Sequence, residues 1–146
     1  MTAEQVYEVI EVFGSVEMRR YDRCVIAEVD VESSFESAGN KGFRPLFNFI
    51  TGTNETGTKV AMTAPVLQDV KGSRSDGNSY SVSFVMPAGS NRASMPQPTN
   101  GSVTLRDMDE HTAIATRFSG RWTRSTFDTQ VSRLAEVADR NELTLV

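Results

Sequence analysis

Hydrophobic and polar residues alternate along most of this chain, and two stretches of helical spacing interrupt the alternation. Val16-Glu17-Met18-Arg19-Arg20-Tyr21 steps between apolar and charged residues, the period-two mark of a strand with one face in water. Upstream, Val6–Phe13 is rich in β-branched residues and Gly14-Ser15 closes it as a turn. Further strands are expected over Cys24–Val31, Lys59–Val70, Tyr80–Met86, Val103–Met108 and Thr112–Phe118, about seven in all. A first helix is expected from Ser33, where Ser33 and Glu36 have capping-box spacing, with Phe43, Leu46, Phe47 and Ile50 as its apolar stripe. Gly39, Gly42 and Pro45 argue against that helix running unbroken, and Gly52 is placed to end it. A second helix is expected with Ser125 as cap and Phe127, Val131, Leu134 and Ala138 as stripe; Arg133 and Arg140 toward its end suit the helix dipole.

Two segments lack an element. Lys71–Ser79 reads as a polar hairpin tip, and Pro87–Gly101 is long enough to be either a binding loop or a plain connection. A short repeat also emerges. Val16-Glu17-Met18-Arg19 with Asp22 recurs as Val103-Thr104-Leu105-Arg106 with Asp109, which sets Cys24 opposite His111 and gives each copy the order strand, turn, strand, helix. Two strands follow the helix of the first copy and none follows that of the second. Sheet edges left uncovered in this way are expected to be covered by a loop or to pair with another chain, for example in a homo-oligomer.

Composition narrows the class. The chain has 146 residues, 38% of them hydrophobic, and 15 basic against 19 acidic side chains give a net charge of −4. This fits one domain spanning residues 1–146 and argues against a broad nucleic-acid surface, which would need a basic face. A single Cys excludes a disulfide within one chain, and a single His excludes a zinc site built from several histidines. No apolar run reaches the ~18 residues of a membrane span, and the acidic N-terminal residues are unlike a leader peptide, so a soluble cytoplasmic protein is expected. No nucleophile elbow, Walker loop, dinucleotide fingerprint or paired-Cys spacing is present, which makes an enzyme the less expected reading.

Ordered motifs from Val6 to Leu134 carry a resemblance. Tyr21 with Ala27, Gly42-Phe43, Leu46-Phe47, Phe49-Ile50, Gly52 and Asn54 lead to Lys59-Val60-Ala61-Met62-Thr63-Ala64-Pro65-Val66. Val82-Ser83-Phe84-Val85-Met86-Pro87, Met95-Pro96-Gln97-Pro98 and Arg117-Phe118-Ser119-Gly120 follow. Together they resemble the SOUL (haem-binding protein) family. The resemblance implies an α+β fold: a twisted antiparallel sheet approaching a distorted barrel, two pseudo-repeated halves, and two helices packed on the sheet. It also implies two strands beyond the second helix that the sequence to Val146 does not supply. Its functional implication is non-covalent binding of haem or another tetrapyrrole, for transport, buffering or sensing.

On this chain the resemblance points to Phe43, Leu46, Phe47, Ile50 and Met62, with Met95 in the Pro87–Gly101 segment as part of a lid. A porphyrin is a flat apolar dianion, so cations are wanted beside the apolar wall, and Lys41 and Arg44 are the candidates. The same stripe is equally what a core-facing helix needs; both roles hold if Leu46 and Ile50 face the sheet while Phe43 or Phe47 faces outward. His111, in an acidic turn, is the only imidazole available as an axial iron ligand, and Cys24 the only thiol. Pro65 lacks a backbone donor and suits a strand edge or bulge that brings Met62 and Val66 toward the first helix. Trp122 is either a stacking surface or a hinge residue, and Glu17, Glu28, Asp30 and Glu32 read as a solvated face. Two other functions fit the composition: a small-molecule-binding or hydrolase module of drug-sensor-like architecture, using Glu28 or Tyr80, and a protein-interaction module using the helix stripe or an open sheet edge.

Overall fold

The computed structural model describes residues 3–70 and 79–145. Its elements are β1 (Ala3–Glu4), β2 (Tyr7–Phe13), β3 (Val16–Tyr21), β4 (Cys24–Glu32), α1 (Phe35–Ile50), β5 (Thr63–Val70), β6 (Ser79–Val85), β7 (Thr104–Met108), β8 (His111–Thr116) and α2 (Arg124–Arg140). They form two compact units. One holds the chain up to Val6 and Arg23–Asp109; the other holds Tyr7–Asp22 and the chain from Glu110 onward.

The first unit is a five-stranded sheet in the order β1-β5-β6-β4-β7, antiparallel except for the parallel β1–β5 pair. Pairing of Ala27 with both Phe84 and Leu105 puts Val25, Ala27, Val29, Val82, Phe84 and Leu105 on one face. Helix α1 lays Leu46, Phe49 and Ile50 against that face, and together they make the core. Alternation explains the opposite face, where Ile26, Glu28 and Asp30 point away from α1. The second unit is a three-stranded antiparallel sheet, β2-β3-β8, with α2. Gly14 takes a positive φ of 65° in the two-residue turn from Phe13 to Val16.

The repeat survives as β3-β4-α1 and β7-β8-α2, but its copies are not the two units. Strand β4 pairs with β7, and β3 pairs with β8, so each sheet takes one strand from each copy. This corrects the expected approach to a barrel. The Asp22-Arg23 and Asp109-Glu110 links carry the chain from one sheet to the other instead of closing hairpins, and the strands divide into two open sheets. Among the described residues, β2 and β8 each have one unpaired edge.

The helices correct three further expectations. First, α1 runs unbroken through Gly39, Gly42 and Pro45. Burial of Leu46, Phe49 and Ile50 beyond the proline, at about 1.5–3 kcal/mol each, outweighs the ~3 kcal/mol a proline costs a helix interior. Second, the caps are Ser34, whose hydroxyl accepts from the Ser37 N–H at 3.3 Å, and Thr123, whose hydroxyl accepts from the Thr126 N–H at 3.1 Å, rather than Ser33 and Ser125. Third, Val131 stands exposed on α2, whereas Val137 and Ala138 are buried. The β5 strand starts at Thr63, later than Lys59, and its register shifts between Thr63 and Val66, so Pro65 does sit at an irregularity. Of the expected hairpin tip, all but Ser79 lies outside the described residues.

Candidate functional site

Helix α1 divides its apolar residues between two surfaces. Leu46 and Ile50 are buried against the sheet, at 0% and 3% exposure, and hold the helix in place. Phe43 and Phe47 are 39% and 44% exposed. Their rings stack at 5.4 Å between centroids with 15° between planes, and Phe43 also meets Phe84 of β6 edge-on at 5.4 Å. A spacing of four residues sets the two rings one above the other, and contact with a buried ring from the sheet fixes the lower one. Val66, also exposed, pairs directly across from Phe84 on the helix-bearing side of the sheet and extends this apolar surface. Met62 and Met95 are half-buried and pack against the core rather than standing free.

Charge around the stack is uneven. At about 100° per residue, Arg44 lies about 60° round α1 from Phe47, while Lys41 lies about 160° from Phe43. Lys41 donates to the Glu32 carbonyl at 3.2 Å, so it is also tethered away from the rings. Arg44 is exposed and has no hydrogen bond or ion pair among the described residues. The structure therefore brings together Phe43, Arg44 and Phe47, and sets Lys41 apart.

The end of α1 is tied to the long loop that follows β6. Asn54, buried, donates to the carbonyls of Phe49 at 2.9 Å and Thr58 at 2.8 Å and accepts from the Thr58 N–H at 3.1 Å. Asn54 also bridges to Pro98, and the Glu55 N–H donates to the Gln97 carbonyl at 2.9 Å. Gln97 in turn donates to the carbonyls of Arg92 and Met95, so the Pro87–Gly101 segment is an ordered loop beside the helix end. The short Gly52-x-Asn54 motif thus has a mechanical meaning: it turns the chain out of α1 and seats the loop that carries Met95.

His111 and Cys24 stand elsewhere. His111 is exposed in the second unit, its ring stacked on Tyr21 at 5.3 Å and 15°, so neither unit by itself brings it to Phe43 and Phe47. Cys24 opens β4, and burial pushes its thiol above the usual range while Arg23 pulls weakly the other way. A thiol held protonated is a poor metal ligand. Trp122, exposed, packs edge-on against Phe127 at 6.2 Å.

On the far side of the first unit's sheet, Glu28 accepts from Arg106 at 2.9 Å and from the Ser83 hydroxyl at 3.3 Å, at the floor of a recess of about 430 Å³. The hydrogen bond that Arg106 donates to Glu28 outweighs burial and holds Arg106 more firmly protonated. Glu28 is therefore a tied residue and not part of a purely solvated face. Sequence reading missed Arg106 here because its partner is 78 residues away.

Comparison with known proteins settles the lineage. The model of the family described as SOUL heme-binding protein matches residues 2–145. The chain belongs to the SOUL heme-binding protein family. Its relatives include human Heme-binding protein 2, 32% identical over 111 residues, covering 73% of this chain and 53% of that one. Mouse Heme-binding protein 2 is 31% identical over 110 residues, covering the same shares of each, 73% and 53%. The chain thus spans about half the length of these curated relatives. Among solved structures it is similar to the EcmrR C-terminal domain, with a TM-score of 0.58 at 12% identity over 92% of this chain and 76% of that one. That likeness concerns the fold. No described helix is long and apolar enough to cross a membrane.

Proposed function

We propose that this protein binds haem or a related tetrapyrrole non-covalently on the outer face of α1, in a transport, buffering or sensing role without chemistry on the ligand. The observation that carries the reading is the exposed stack of Phe43 and Phe47 beside Arg44, which has no partner among the described residues. Two stacked, partly exposed rings offer an apolar macrocycle a contact surface, and the guanidinium offers its carboxylates a charged partner. The residues present fit the organic part of the group better than its metal, since α1 carries no histidine or cysteine. When bound, the group would supply an iron centre, to which α1 offers neither imidazole nor thiolate, so Phe43, Phe47 and Arg44 would hold the macrocycle and its carboxylates.

The chain's own contribution is positional. Leu46, Phe49 and Ile50 fix the helix on the sheet, Phe84 fixes the Phe43 ring, and Asn54 seats the Met95 loop beside the helix end. Family membership supports the same ligand class. Haemin titration followed in the Soret region tests the reading: a saturable one-to-one shift is expected, weakened in Phe43→Ala and Phe47→Ala and in Arg44→Gln, and kept in His111→Ala. Loss of the shift in His111→Ala alone would move the site off α1.

A further inference from the structure

The second unit contains a recess of about 470 Å³ between the Gly14-Ser15 turn and the C-terminal half of α2. Phe13, Val16 and Val137 form its apolar part; Ser15, Arg133, Arg140 and Asn141 supply its polar part. Arg133 and Arg140 are seven residues apart, two turns and about 10 Å along the helix, so both project on one side with Val137 between them. Arg133 donates to the Ser15 hydroxyl, which fixes one guanidinium over the turn. Arg140 has no hydrogen bond or ion pair among the described residues, and no carboxylate lines the recess. Glu136 and Asp139 are on the same helix and neither reaches it.

We infer that this recess is a second ligand site, for a small organic oxyanion: a phosphate monoester or carboxylate attached to an apolar body about the size of a phenyl ring. Two guanidiniums, the Ser15 hydroxyl and the second N–H of the Asn141 amide give an oxyanion head charged and neutral donors together, and arginine forks match its oxygens. The opposing field is the negative end of α2, worth about half a charge. Asn141 blunts it, since its backbone and side-chain N–H groups both donate to the Val137 carbonyl, at 3.2 and 2.8 Å. Two full positive charges exceed what is left. Val16 and Val137 are already 1% and 6% exposed, so half-buried Phe13 is the apolar wall that decides between an organic anion and a bare one, because only the former can lay an apolar body on its ring.

The test is backbone and arginine-Nε NMR of the ¹⁵N-labelled protein titrated with phenyl phosphate, benzoate, inorganic phosphate and benzylammonium. Saturable shifts at Ser15, Arg133, Arg140 and Asn141 are expected with phenyl phosphate and benzoate, at least fivefold weaker with inorganic phosphate, and absent with benzylammonium. Arg133→Gln with Arg140→Gln weakens phenyl phosphate binding at least tenfold, while Arg133→Lys with Arg140→Lys keeps part of it and shows that charge, not lost structure, is responsible. Phe43→Ala leaves it unchanged, which separates this site from the α1 face. Equal binding of inorganic and phenyl phosphate, equal binding by the double-glutamine variant, or shifts confined to other residues would each overturn the assignment.

Discussion

Gly42→Ala asks whether α1 is held as close to the sheet as the geometry states. A methyl built on Gly42 lies 2.6, 2.8 and 2.9 Å from the three side-chain carbons of Val82, all well inside the ~3.5–4.0 Å of a comfortable carbon contact. Val82 is fully buried in the middle of β6, so it has nowhere to turn. Relief needs the helix or the strand to move by about 1 Å, and overpacking of a filled core costs about 1–3 kcal/mol or more. Alanine regains ~1 kcal/mol of helix propensity over glycine. Three contacts under 3 Å call for the upper end of that cost, so the net expectation is a loss of about 2 kcal/mol, read as a lower urea midpoint by far-UV circular dichroism with an unchanged slope. Val82→Ala removes two of the three contacts, so in the double variant the two losses are less than additive by about 1 kcal/mol. A Gly42→Ala protein as stable as the parent, or strict additivity with Val82→Ala, would refute the close approach and with it the placement of Phe43.

Further predictions concern the loop, the thiol and the ion pair. Asn54→Ala strips the Phe49 and Thr58 carbonyls and the Thr58 N–H of their buried partner and is expected to cost about 2–3 kcal/mol in the same unfolding assay; a loss below ~0.5 kcal/mol would deny Asn54 its role as a clasp. Cys24, its thiol raised by burial, is expected to react with iodoacetamide more slowly at pH 7 than a free thiol, with the rate climbing only as the pH passes above the usual thiol range; reaction as fast as free cysteine at pH 7 would contradict the burial. Glu28→Gln breaks an ion pair whose Arg106 end is half exposed, so it should cost no more than ~1 kcal/mol by thermal unfolding; a loss above ~3 kcal/mol would mean the pair is far more enclosed than its geometry indicates.

The alternating segments told most about the fold. Val16–Tyr21 was legible to the residue because strict alternation has one structural meaning. The spacing between Val16 and Val103 exposed the repeat before any coordinate did. What alternation does not encode is which strand pairs with which, so the exchange of strands between the two sheets, and the absence of a closed barrel, were invisible. Gly42 shows the same limit from another side. By propensity it is a helix breaker; in three dimensions it is the point where a helix comes too near a valine to carry a side chain. Ser33 and Ser34 are both competent caps, and only the backbone decides that the second one serves while the first turns its hydroxyl to the Ser34 carbonyl.

The candidate site was half legible. At about 100° per residue Phe43, Leu46, Phe47 and Ile50 form one continuous stripe with Phe43 and Ile50 only about 20° apart, so spacing left the division open; packing makes it, burying Leu46 and Ile50 and leaving Phe43 and Phe47 exposed. The same arithmetic distinguishes Arg44 from Lys41, which nearness in sequence had grouped together. Arg133 and Arg140 looked like dipole partners of α2, and a seven-residue arginine spacing was the available sign that they share one side. The turn opposite them, at Gly14-Ser15, is more than a hundred residues away in the chain, and no local pattern links the two.

The central claim, a tetrapyrrole site on the outer face of α1 that rests on ring contact and not on iron ligation, is tested most directly with a porphyrin that has no iron. Protoporphyrin fluorescence is titrated with the wild-type protein and with Phe43→Ala and Phe47→Ala. About 40% of each phenylalanine's surface is open, roughly 80 Å² of ~200 Å², and covering all of it at ~25 cal/mol per Å² gives at most about 2 kcal/mol per residue. The account predicts iron-free binding within a few fold of haemin and a loss of up to about thirtyfold in each variant. Binding that requires iron, or that persists undiminished when both rings are removed, would contradict it.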